Sequence, residues 1–327
     1  MTSKKIAIIG AGISGLACAG QLSQADYAVT VFDKSQGVGG RMSHRDFEKW
    51  GADHGAQYFT TKDPLFTAEV QKWIKEGVAS PWLGKIATYT HGQSKALADT
   101  KQRFVGVPAM TAPAKFLAKG LNIELNHTIT SINRAHDHWE LCIHDEQSLT
   151  DQFEQVIFAI PPVQAKHLIA RYSKQLSAVC DQANMLPCWT LMAYLKQPLD
   201  LPFDGAFVND SLFSWIARDN TKPERPRYET WVAQASHAWS QEHVDLSHYE
   251  VEPALVEAFN ALTGASCDLY QSHLWRYAKL ETESTINFSL DSQMQLGLCG
   301  DWLRASTIEG AWLSGYLLAQ EFISLND

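Results

Sequence analysis

Positive charge is scarce in this chain: 27 Lys and Arg stand against 36 Asp and Glu, a formal charge of −9, and no dense basic run occurs. Nucleic acid and anionic membrane surfaces are therefore not expected partners. No stretch reaches the roughly 20 uninterrupted apolar residues of a membrane span. The six cysteines (Cys18, Cys142, Cys180, Cys188, Cys267 and Cys299) show no C-x-x-C spacing and no accompanying His ligands. They read as free thiols in a reducing, cytoplasmic setting, with no metal site. A Ser-His-Asp order, a paired-carboxylate signature, internal repeats and low-complexity segments are also missing. What is plentiful is apolar matter: 45% hydrophobic residues, with 11 Trp, 10 Tyr and 14 Phe among 327. That suffices for one large or two ordinary domains without disulfide or metal staples, and it excludes disordered, collagen-like and small cysteine-rich classes.

The chain opens with Met1-Thr-Ser-Lys-Lys ahead of the apolar run Ile6 to Gly20, the outline of a signal peptide. Cleavage would remove the most informative motif, so the run is read as part of the fold. Lys5 to Ile9 is a strand ending in glycine, Ser14 to Leu22 is helix-compatible, and Ala28 to Phe32 is a second strand, giving β-α-β. Lys85 to Val107 has the texture of antiparallel β, followed by a helix near Ala112 to Ala118. Ile123 to Asn133 and Trp139 to His144 alternate at period two, and Phe153 to Ile160 reads as an apolar strand stopped by Pro161-Pro162. After a mixed region with a loop at Asn220 to Arg227, Leu296 to Cys299 returns to strand, and a helix runs from about Ile308 to Ile323. The expected fold class is α/β: a discontinuous Rossmann-like domain (1–60, 100–165 and 290–327) with an inserted α+β substrate domain of antiparallel sheet and helices (61–99 and 166–289).

Gly10-Ala-Gly12-Ile13-Ser14-Gly15 follows a strand and opens a helix. Gly10 allows the tight turn, Gly12 admits a pyrophosphate close to backbone, Gly15 allows helix and strand to pack, and the helix N-terminus offers N–H groups. Asp33 ends the next strand about 20 residues on, where an acid accepts from a ribose diol and disfavours a 2′-phosphate. Directly after it comes Lys34-Ser-Gln-Gly37-Val-Gly39-Gly40-Arg41-Met42. A simple NAD site has no need of this second glycine turn. The longer diphosphate and ribityl chain of FAD does, with Arg41 among the donors.

On these residues, GAGISGLACAGQLSQADYAVTVFDKSQGVGGRMSHR resembles the N-terminal signature of the flavin-containing amine oxidase superfamily. Gly55-Ala-Gln57-Tyr58-Phe59-Thr60, the stretch Thr230 to Ser236 with Trp239, and Cys299-Gly-Asp301-Trp302 followed by Glu309 to Gly315 narrow the resemblance to its renalase-like branch, across nearly the whole chain. The resemblance implies non-covalent FAD, since no Ser-Gly-Gly-Cys context occurs. It places the cofactor on the two glycine turns, on Gln57 and Tyr58, on Ile129 through its backbone, and on Asp301, Ile308 and Glu309. Asp301 would lie at the ribityl hydroxyls, and the helix from Ile308 would aim its positive end at the flavin N1 and O2 region.

The implied reaction is oxidation of 2- or 6-dihydro isomers of NAD(P)H to NAD(P)+, by hydride transfer to flavin N5, with O2 then giving hydrogen peroxide. Such a transfer needs no general base, so no catalytic residue is named. Candidate walls of the substrate site are Tyr58, Phe59, Thr60, Trp189, Trp215, Gln234, Trp275, Tyr277 and Trp302, because a planar ring wants flat faces and a few polar groups. The chain departs from the branch at Gln234, where a His is usual; Gln cannot titrate near neutral pH, and His237 reads as unrelated and exposed. Two other readings stay open: a flavin amine oxidase on a small amine, although no lysine near N5 can be located, and a non-catalytic FAD-binding protein. The expected partners are a small dinucleotide substrate and O2, for a monomer or weak dimer.

Overall fold

The computed structural model describes residues 4–143 and 148–325. His144, which closes one sequence-read strand, lies outside them, as do the extreme termini of the first and last expected segments. Six strands form one sheet in the order Ser289–Asp291, Leu296–Leu298, Gln155–Phe158, Lys5–Ile9, Ala28–Asp33 and Asn122–Leu125, parallel except at the Ser289–Asp291 edge. The central strand explains why this sheet is fully covered. Ile6 and Ile8 pack on one face against Leu16, Leu313 and Leu318 of the helices Ile13–Gln24 and Ile308–Ser324. Ala7 and Ile9 face the other side, against Ile132, Trp139 and Phe153 of a three-stranded antiparallel sheet. Alternation at period two thus buries both faces. The two helices cross closely because Gly315 has no side chain; a Cβ there would sit 1.9 Å from the Ser14 carbonyl oxygen.

The second large sheet has seven strands, ordered Leu269–Leu280, Met185–Leu195, Glu229–Ala235, Phe213–Arg218, Gly205–Val208, Ile86–Thr90 and Gln93–Ala96. All pairs are antiparallel except Gly205–Val208 with Ile86–Thr90. The helix His248–Thr263 covers one face through Val251, Leu255 and Phe259. Every strand of this sheet falls within residues 61–99 or 166–289.

Several sequence expectations need correction. Ile123 to Asn133 is not one strand: Asn122–Leu125 joins the parallel sheet, Asn126 turns the chain at φ 59°, and Ser131–Ala135 enters the antiparallel sheet. Asn tolerates that left-handed conformation, so it is where the chain can change sheets. Likewise Phe153 ends an antiparallel strand and only Gln155–Phe158 joins the parallel sheet, with the Glu154 N–H donating to the Lys5 carbonyl at 2.9 Å between them. Pro162 starts the helix Pro162–Ile169 besides ending the strand, because proline fits the first helical turn. Helix Pro64–Lys75, inside the expected insert, buries Phe66, Val70 and Trp73 in the same core as the glycine-turn helix. Among the described residues no helix is long and apolar enough to cross a membrane.

Candidate functional site

A cavity of about 2620 Å³ opens at the C-terminal ends of the parallel strands, where open α/β sheets bind ligands. It exceeds the roughly 300–1,000 Å³ of a single drug-sized site, so an extended ligand and a second molecule can share it.

The first glycine turn shapes one end. Gly10 adopts φ +110°, and a Cβ on Gly15 would lie 2.0 Å from the Gly10 carbonyl oxygen, so Gly15 is a packing glycine. Gly12 differs, since a Cβ there meets nothing within 4 Å and would project into the cradle. Gly12 is also the N-cap of Ile13–Gln24, with no side-chain cap and no acid in the first turn. The leading N–H groups are therefore left for an anion. Ser14 Oγ, buried and without a hydrogen-bond partner among the described residues, lies in the same turn. An orphaned hydroxyl beside an open glycine fits a dinucleotide phosphate.

Asp33 stands at the wall with both carboxylate oxygens accepting backbone bonds, from Ala11 N–H at 2.7 Å and Ser35 N–H at 2.8 Å. The second glycine turn docks on the first: Gly39 N–H donates to the Ala11 carbonyl at 2.9 Å, and a Cβ on Gly40 would be 3.4 Å from the Gly12 Cα. Lys34, Met42 and Ile129 line the same end. Ile129 follows His127, whose N–H donates to the Asp33 carbonyl at 2.9 Å.

Arg41 and Asp301, assigned from sequence to separate parts of a cofactor, meet each other. The guanidinium makes two bonds to the carboxylate, at 2.9 and 2.6 Å, and a third to the Ala278 carbonyl at 3.2 Å. Such a fork holds three distant chain segments in one geometry. The helix Ile308–Ser324 starts where expected and is capped by Thr307, whose hydroxyl accepts from Gly310 N–H at 2.9 Å. Ile308 lines the cavity, but the Glu309 carboxylate is spent on the Lys62 and Asp63 N–H groups at 2.7 and 2.8 Å.

The opposite wall is the seven-stranded sheet. Register sets His273, Thr190, Gln234 and Trp215 side by side across four strands, so they share a face. Gln234 Nε2 donates to the Gly55 carbonyl at 2.8 Å, and Trp275 Nε1 donates to the His54 carbonyl at 2.9 Å. These bonds stitch the sheet to the segment Asp53–Thr60. Tyr58, Phe59, Thr60, Trp189, Gln234, Trp275, Tyr277 and Trp302 all line the cavity. Trp215 does not; it packs behind Tyr58, ring centroids 5.6 Å apart. Trp189 and Trp302 are almost fully buried, their indole N–H groups donating to the carbonyls of His243 and Ile160. His237, read as exposed, is half-buried, bonded to the Pro187 carbonyl at 2.9 Å and part of the wall.

Sequence reasoning missed a buried ionic cluster behind this wall. The stretch expected as a plain loop carries a 3-10 turn, Asp219–Thr221, then Lys222 and Arg225, both buried. Lys222 Nζ donates to Asp219 at 2.6 Å and to Asp53 and Gln57 Oε1 at 3.2 Å each, while Arg225 Nη2 meets Asp53 at 2.6 Å. His44 Nδ1 lies 2.9 Å from Asp53. Burial opposes ionisation of Asp53, yet Lys222, His44 and Arg225 hold its carboxyl far below the usual carboxylate range. Asp219, with burial outweighing Lys222, is raised instead. Gln57 points into this cluster and not into the cavity. His44, Asp53 and Asp219 have ligand atoms within 4.8 Å of one another, but Lys222 and Arg225 already supply the positive charge a metal would bring.

The cavity wall has a charge unlike that of the chain. Nine of its residues are Lys or Arg, among them Arg45, Lys62, Arg103 and Arg276, against five Asp or Glu. An otherwise acidic protein therefore presents a net positive cavity.

Residues 8–72 match the family model of the NAD(P)-binding Rossmann-like domain. Over 60 residues, 18% of the chain, it is 37% identical to the 4,4'-diaponeurosporene oxygenase of Staphylococcus haemolyticus (strain JCSC1435). Over 67 residues, 20% of the chain, it is 43% identical to the 4,4'-diapophytoene desaturase of Staphylococcus aureus (strain Newman). These matches span only 12% and 13% of the relatives' lengths. Among solved structures, a protein of Exiguobacterium sp. 255-15 provisionally assigned as a protoporphyrinogen oxidase superposes over 100% of both chains, with TM-score 0.81 and 12% identity. Putrescine oxidase bound to putrescine superposes over 98% of this chain and 99% of its own, with TM-score 0.72 and 13% identity. The fold is the mixed α/β fold of flavin amine oxidase structures, with a Rossmann-like dinucleotide-binding domain.

Proposed function

We propose that the protein is an FAD-dependent oxidase that takes hydride from 2- or 6-dihydro isomers of NAD(P)H, the reaction of the renalase-like branch, with residues 1–60, 100–165 and 290–327 holding FAD and 61–99 and 166–289 the substrate. When bound, FAD supplies a two-electron acceptor that O2 restores, with release of hydrogen peroxide. The first glycine turn and the free end of Ile13–Gln24 hold the diphosphate, Asp33 the ribose, and Arg41 with Asp301 the region where the two sheets meet. The observation that carries the substrate assignment is the positive wall in a chain of charge −9. A phosphate-bearing substrate is drawn to such a wall, whereas an amine cation is repelled. Loss of hydride leaves the substrate ring as an aromatic pyridinium, so no proton has to be removed and the chain needs no base. Its task is to place a flat ring among Tyr58, Trp275 and Tyr277 and to exclude water.

The cofactor is held without a covalent bond. Cys188 is the sole cysteine among the described residues of the wall, and burial pushes its thiol up to about 12, which leaves it a poor nucleophile. Likeness of fold to putrescine oxidase favours one competing reading, oxidation of a small amine. Anaerobic mixing separates the two. The yellow protein is expected to bleach with the dihydro isomers and recolour in air with peroxide; bleaching by putrescine or another simple amine, with none by the isomers, overturns the proposal. Denaturation and filtration are expected to release all the flavin.

A further inference from the structure

One polar group in the wall has no use in the chemistry above. His54 is only 4% exposed and lines the cavity, yet neither ring nitrogen has a hydrogen-bond partner among the described residues. Nδ1 is enclosed, so Nε2 is the nitrogen open to the cavity. A buried polar atom left unpaired costs about 1–3 kcal/mol; Nδ1 bears that cost, whereas Nε2, unbonded among the described residues at a cavity wall, is the nitrogen a ligand can reach.

The ring is held firmly for a residue with no partner. Trp275 stacks on it at 5.2 Å and 21°, and His273 meets it edge-on at 4.8 Å and 85°. Its backbone is fixed by the Trp275 indole N–H on the His54 carbonyl and by Gln234 on the next carbonyl, Gly55. Gly55 in turn lies against the second glycine turn, where a Cβ would be 2.0 Å from the Arg41 carbonyl oxygen. The inserted sheet and the second glycine turn therefore fix His54 between them, on the cavity wall.

Its chemical state follows from its surroundings. Burial, then His273, Arg45 and His44, push His54 down to about 3 against the opposing pull of Asp53; burial, Arg45 and His248 push His273 down to about 4. Both imidazoles are neutral at physiological pH, which suits a wall beside a ring that becomes a pyridinium cation. An enclosed N–H with no acceptor is worse than an enclosed lone pair, so the proton sits on Nε2 and Nδ1 is the idle lone pair.

We propose that His54 is the specificity-determining residue of the substrate site, its Nε2–H donating to the carbonyl oxygen of the carboxamide on the nicotinamide ring. This rests on the function proposed above. The holoenzyme should bind the product NAD+ about tenfold more tightly than its thionicotinamide analogue, whose sulfur is a weak acceptor, as read by calorimetry and by perturbation of the flavin spectrum. His54→Leu should bind the two equally, and His54→Gln, which keeps a donor near the Nε2 position, should retain most of the preference. A folded, yellow His54→Leu that still prefers the carboxamide tenfold, or a wild type with no preference, overturns the assignment and leaves the function standing. A wild type that binds neither dinucleotide overturns the function, and this assignment with it.

Discussion

The two sides of the cavity are built by opposite means. The cradle side is made of backbone: glycines, a bare helix end and main-chain bonds to Asp33, drawn largely from the first 40 residues. The opposite side is made of side chains, with Gln234, Trp275 and His54 over a buried cluster that joins Asp53 to Lys222 and Arg225 across about 170 positions. A cofactor common to many proteins can be met by repeating units of backbone. A particular substrate has to be met by particular side chains, and these need rigid support.

That contrast can be broken most severely from behind the wall. Lys222→Met leaves Asp53 and Asp219 buried with too little positive charge, and urea denaturation should show a loss of about 3–5 kcal/mol. Next in size is a pair of substitutions within one motif. Gly15→Ala drives a Cβ into the Gly10 carbonyl and should cost about 3 kcal/mol. Gly12→Ala should leave stability within about 1 kcal/mol while weakening FAD binding about tenfold or more, because its Cβ occupies only the cradle. Equal stability losses in the two would erase the distinction between a packing glycine and a ligand glycine.

Smaller effects come from titration. His54 and His273 are depressed to about 3 and about 4, below the ordinary value near 6.5, so the stability they contribute is present above pH ~6.5 and is lost as pH falls toward 4. From pH 7 to pH 5 each of the two should lower the unfolding free energy by about 2 kcal/mol, so the drop should be roughly halved in His54→Leu. His44 acts in the opposite sense: burial lowers it, but Asp53 raises it further, so its contribution is present below pH ~6.5 and fades as pH rises through its folded value. In His44→Gln the acid-side drop should therefore be steeper. The smallest effect concerns the positive wall, where raising salt from about 0.05 to 0.3 M should raise KM for a dihydronicotinamide dinucleotide a few-fold with kcat unchanged.

What could be read in advance follows the same divide. Gly10 to Gly15, Asp33 and the helix at Ile308 were legible because each depends on neighbours within about 20 residues, where spacing determines geometry. The break at Asn126 was hidden, since alternation at period two runs through Ile123 to Asn133 whichever sheet each half joins. Lys222 and Arg225 sit between prolines in a polar stretch that looks solvated; only the tertiary position of Asp53 buries them. Gln57 shows the cost of reading a motif as a unit, for Tyr58 faces the cavity while its neighbour faces the ionic cluster. Trp215 lies behind Tyr58 for a similar reason, as one aromatic layer supports another.

The account depends above all on what reduces the bound flavin. In anaerobic stopped flow with 2- and 6-dihydro isomers of NAD(P)H and with putrescine at equal concentrations, it predicts fast loss of the yellow absorbance with an isomer and none with the amine. Fast bleaching by putrescine and none by the isomers would contradict it.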